Sequence, residues 1–98
     1  MADFILLMHA DTLAPVNDLA WDDYIADLLA QGRFQGGSAI GAGACERKTG
    51  AAPPTTDHLT GFIRVSADDL AQARTLLVGN PVFEAGGTVE IRELPRTD

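Results

Sequence analysis

The chain has 98 residues, 46% of them hydrophobic, a single cysteine and a formal net charge of −7. That length suits one domain over residues 1–98 with a modest core, and the lone Cys45 excludes an intrachain disulfide or a thiolate metal cluster. No apolar run approaches the ~20 residues of a membrane span, and no basic n-region with a long apolar h-region opens the chain, so a cytoplasmic location is expected.

The charge is unevenly spread. Asp3, Asp11, Asp18, Asp22, Asp23 and Asp27 all precede residue 33, whereas every lysine and arginine lies between Arg33 and Arg96. Such a surface repels phosphate backbones and anionic lipids, so neither nucleic acid nor membrane is expected as a partner.

In chain order, residues 3–10 predict a first strand, followed by a loop at Thr12–Val16 that contains Pro15. A helix is expected from about Leu19 to Gln31. At about 100° per residue, Tyr24, Leu28, Trp21, Ile25 and Leu29 fill one arc, with Asp22, Asp23 and Asp27 outside it. Asp18 reads as its N-cap and Gly32 as its left-handed C′ residue. Arg33–Ala44 is glycine-rich and reads as a second strand with bulges. Glu46–Thr56 reads as a hairpin loop or disordered tip.

A third strand is expected over His58–Val65. Ser66 through Asp69 resembles a capping box, with Ser66 as cap and Asp69 reaching back. The helix behind it would bury Leu70, Ala73 and Leu77, and Gly79, Asn80 and Pro81 would stop it. Gly86 and Gly87 form a turn before a last strand, TVEIREL (88–94). The order β-α-β-β-α-β is the α+β, ferredoxin-like sandwich: a four-stranded antiparallel sheet with two helices on one face.

A sheet with one wet face should alternate apolar and polar residues. Phe4–Met8 does not. Phe4, Leu6 and Met8 fall on one face and Ile5 and Leu7 on the other, and the helices can cover only one of them. Exposure would forgo roughly 1.5–3 kcal/mol per large side chain. A second copy packed sheet to sheet, a homodimeric α+β barrel, answers this best; a heterodimer or a ligand on that face would answer it less well. A mostly apolar pocket between sheet and helices is then expected to hold a small organic molecule.

GNPVFEAGGTVEIRELP, from Gly79 onward, resembles the closing segment of the YCII-related (DGPF) domain family. DFILLMHAD, LLAQGRFQGG and TGFIRVSADDLAQA fit the same family. The resemblance implies a ferredoxin-like fold forming dimeric α+β barrels. It also implies kinship with muconolactone isomerase-like proteins that act on small ring compounds through a His–Asp pair. An ungapped count back from Arg33 puts the family's histidine position at Trp21, and its aspartate position falls on Asn80. Neither side chain can shuttle a proton near neutral pH as His and Asp can. Where Asp-Gly-Pro-Phe might stand, PPTTDHLTGF retains Asp57 and Gly61–Phe62.

His9, near the end of the first strand, is the candidate catalytic residue, a general base oriented by Asp11 or Glu84. Arg64, Glu90 and Arg92 could approach it from neighbouring strands. Trp21, Arg64, Asn80 and Glu84 are the candidate substrate-binding residues. No HxH, HxxxH or HExxH spacing is present, so no metal is expected. Gly41-Ala-Gly43 lacks the strand-to-helix setting of a nucleotide fingerprint, so no cofactor is expected either. Cys45 sits among Glu46, Arg47 and Lys48 and reads as an inert thiol. Three functions follow: a homodimer that binds a small molecule, a cofactor-independent lyase, isomerase or small monooxygenase-like enzyme using His9, or a plain interaction module that assembles through its sheet edges.

Overall fold

A computed structural model describes residues 1–96. The elements are β1 (Ala2–His9), α1 (Ala20–Ala30), β2 (Phe34–Ala39), β3 (Leu59–Ala67), α2 (Leu70–Thr75), α3 (Pro81–Glu84) and β4 (Val89–Leu94). The strands form one antiparallel sheet in the order β2-β3-β1-β4. This is the α+β ferredoxin-like arrangement expected from the sequence.

The uninterrupted apolar run of β1 is explained by its central place. Leu6 pairs with Ile63 on one side and Ile91 on the other. Phe4, Leu6 and Met8 are buried together with Ile63, Val65, Tyr24, Leu28 and Val82. Burying side chains of this size is the main favourable term in the fold. Ile5 and Leu7 face the other way and stay half-buried, flanked by Arg64 and Arg92 in one row and by Phe62 and Glu90 in the next.

Several local expectations hold. Gly32 has φ +70°. The Arg33 amide donates to the Leu28 carbonyl and the Gly32 amide to Leu29, which is the Schellman closure of α1. The bulge expected in the second strand lies between Phe34 and Gly36.

Others are corrected. The first turn of α1 has no side-chain cap from Asp18; Asn17 Oδ1 accepts from the Leu19 amide instead. Ser66 is a buried residue near the end of β3, and Asp69 is the N-cap of α2, accepting from the Gln72 amide at 2.8 Å. Gln72 in turn accepts from the Asp68 amide, one residue before the cap, so a variant of the box forms and begins three residues later than expected. Leu70 therefore sits at the open first position of a six-residue helix and is exposed, as is Leu29 at the end of α1.

Pro81 does not simply stop a helix. With its fixed φ and absent amide it opens α3 at the first position, where no amide is needed, and Asn80 caps α3 rather than the end of α2. The second strand ends at Ala39, not Ala44. Residues 40–58 carry no regular structure and are nearly all exposed.

Candidate functional site

The site begins as a gap in side-chain volume. On the helix-facing side of β2 and β3, Gly37 pairs with Ile63, and Gly61 lies between Met8 and Ala39. Three successive positions on this floor thus carry a hydrogen or a methyl where a packed sheet would carry Leu or Ile. Gly37 cannot be filled from its own position. A Cβ there would lie 2.6 Å from the Phe62 carbonyl oxygen. Above the bare floor stand Trp21 and Ile25 of α1, with Phe34 at the start of β2. The result is a cavity of about 610 Å³, within the range of small-molecule sites.

Its wall is mostly apolar. The polar groups are Asp18 from the loop before α1, Ser38 and Thr60 from the strands, Thr12, and His9 at the end of β1. Trp21 makes an edge-on contact with the buried Tyr24, ring centroids 6.1 Å apart.

His9 occupies the boundary between the cavity and the open face of the sheet. Its Nε2–H donates to Glu90 Oε1 at 3.1 Å, because an ionised carboxylate can only accept. The ring also meets His58 edge-on, centroids 4.9 Å apart. Arg92 and His9 both hold the Glu90 carboxyl below its usual range, Arg92 more strongly. Neither expected orienting group reaches His9. Asp11 accepts from the Thr88 amide and hydroxyl at 2.7 and 2.6 Å, which lowers its pKa. Glu84 lies on α3 and accepts from the Gly79 amide.

The other expected site residues are dispersed. Trp21 lines the cavity. Arg64 is exposed on the opposite, helix-free face, beside Ile5. Asn80 is fully buried, its Oδ1 accepting from the Val82 and Phe83 amides, while its Nδ2 has no partner among the described residues. Ile25, Phe34 and Thr60 were not anticipated as lining residues. Their signal was the run of minimal side chains in FQGGSA and TGF, which removes volume from one face of the sheet.

Among the described residues, no cluster of three or more His, Cys, Asp or Glu side chains is placed to hold a metal ion, and no helix is long and apolar enough to cross a membrane.

A helix-covered antiparallel sheet with an apolar cavity at the sheet–helix boundary defines the structural class. The YCII-related domain profile matches residues 6–97, and the chain belongs to that family. No curated protein matches it.

Proposed function

We propose that this member of the YCII-related family is a homodimer that binds a small organic molecule in the cavity between α1 and the sheet, without the family's His–Asp pair. The observation that carries the reading is the cavity itself, roofed by Trp21 and Ile25 over a floor of Gly37, Ala39 and Gly61. A packed core leaves few voids larger than a water molecule. A space of about 610 Å³ lined mostly by apolar side chains supports a binding site there. With Trp21 and Asn80 at the family's positions for histidine and aspartate, no proton-transfer pair remains there.

The dimer is supported by the helix-free face, where Ile5, Leu7 and Phe62 form a half-buried apolar centre between charges of both signs. A twofold interface needs such a self-complementary surface.

Trp21 is the only tryptophan, so its emission reports occupancy directly. A metabolite library screened by thermal shift, with hits confirmed by Trp21 emission, tests the reading. A ligand bound only by the folded state raises Tm by mass action. Ala39→Phe, which fills the floor, is expected to abolish both signals. Hits that survive it place binding elsewhere.

One observation favours a second reading, a cofactor-independent lyase, isomerase or small monooxygenase-like enzyme with His9 as acid–base. His9 lines the cavity and is oriented by Glu90. If any library compound is turned over, His9→Ala should remove the turnover; unchanged conversion takes His9 out of the mechanism.

A further inference from the structure

We infer that the cavity selects neutral and cationic aromatic compounds, organic amines above all, and rejects carboxylates and phosphates of the same shape. This rests on the cavity being a binding site and goes further by assigning the charge of its occupant.

The lining contains no lysine or arginine. Its only full charge is the exposed Asp18 carboxylate at the mouth. None of the described hydrogen bonds or ion pairs engages that carboxylate, whereas Asp3 and Asp11 are each taken up by partners. An unspent anion lining the same cavity as the rings of Trp21 and Phe34 supplies the two kinds of group that attract an ammonium: a counter-charge and aromatic side chains.

One feature of the fold acts against this. The amino end of α1 opens at the same mouth, and its dipole is equivalent to roughly +0.5 charge. Asp22 and Asp23 occupy the first turn of α1. With Asp18 they set three full negative charges against that half charge. The first 32 residues, which supply the loop and helix over the cavity, contain no lysine or arginine. An anion entering here would find no lysine or arginine in the lining to offset its lost hydration.

Isothermal titration calorimetry at low ionic strength with three probes of one shape tests this: 4-phenylbenzylamine, 4-phenylbenzyl alcohol and 4-phenylbenzoate. The amine is expected to bind about tenfold or more tighter than the benzoate, with the gap shrinking as salt is added. Asp18→Asn should reduce the preference of amine over alcohol severalfold. Asp27→Asn, on the exposed side of α1 and away from this cavity, changes net charge equally and should retain the preference. Benzoate binding as well as the amine overturns the inference. So does an equal loss in the two variants, which would assign the effect to net charge. Alcohol bound with no advantage for the amine sinks the charge assignment alone, while no binding of any probe sinks the cavity reading with it.

Discussion

His9 Nε2 lies 3.1 Å from Glu90 Oε1, joining the end of β1 to β4 on the face of the sheet that no helix covers. The pair exists because Leu7 and Glu90 are cross-strand neighbours, so the carboxylate stands two residues back from the histidine and on its side of the sheet. Arg92 binds the other carboxylate oxygen at 3.1 Å. Glu90 is thus shared between two donors, and its lowered pKa follows from both.

His9→Ala should therefore raise the Glu90 pKa part of the way to its ordinary value, and Arg92→Ala should raise it further. Carbon-13 NMR titration of the side-chain carboxyl measures both. The reverse order would assign the larger share to His9.

At the edge of the same face, Arg96 Nε and Nη2 both donate to the Asp3 carboxylate, at 3.0 and 3.1 Å, and Gln35 adds a third bond. Chiefly through the Arg96 bonds, the Asp3 carboxyl is held at about 2, against an ordinary 3.8. A carboxyl lowered on folding contributes stability above its unfolded pKa and loses it as pH falls through the folded one. Asp3→Asn should accordingly flatten the acid limb of the stability profile between those two values, with little further change as pH rises above it. Because the pair is exposed, the effect is small. An unaltered limb in denaturant titrations across that window would remove Asp3 from the acid response.

The helix-free face makes the assembly testable. Leu7→Glu places a charge at the apolar centre, between Phe62 and Glu90. The variant should sediment as a monomer at concentrations where the parent is a dimer, with its far-UV circular dichroism retained. A parent that sediments as a monomer at micromolar concentration contradicts the twofold assembly.

Tyr24 ties α1 to the chain after α2, its buried hydroxyl donating to the Leu76 carbonyl at 2.6 Å. Burial raises the phenol's pKa, and the neighbouring Asn80 offsets part of that rise. Tyr24→Phe leaves the Leu76 carbonyl without that donor and should cost about 1–3 kcal/mol in urea denaturation. A loss below the low end of that range would mean that water replaces the hydroxyl.

Gly37→Ala tests the cavity floor. The added methyl meets backbone at Phe62 and the Ile63 side chain, so β2 and β3 must separate. Overpacking of this kind typically costs about 1–3 kcal/mol, read as a lower denaturation midpoint. Weakened occupancy at Trp21 should accompany it; a stable variant with normal binding would show that the strands yield at no cost.

The βαββαβ order, the single helix-covered face, the family and the location of acidic charge can all be read from the chain alone. Each is written in local periodicity and composition: Phe4–Met8 has no polar alternation, and α1 separates Tyr24 and Leu28 from Asp22, Asp23 and Asp27.

Which polar groups meet depends on the folded arrangement. Asp11 is taken by Thr88, so Glu90, 81 residues away in sequence, became the partner of His9. Asn80 was drawn into the core as the cap of α3, and Arg64 was turned to the opposite face from Trp21. Strand register and the placement of loops set these distances, and neither is encoded in the spacing of neighbouring residues. The cavity follows the same logic. Its glycines are visible in the chain, but the space they leave belongs to a sheet and a helix that meet only after folding.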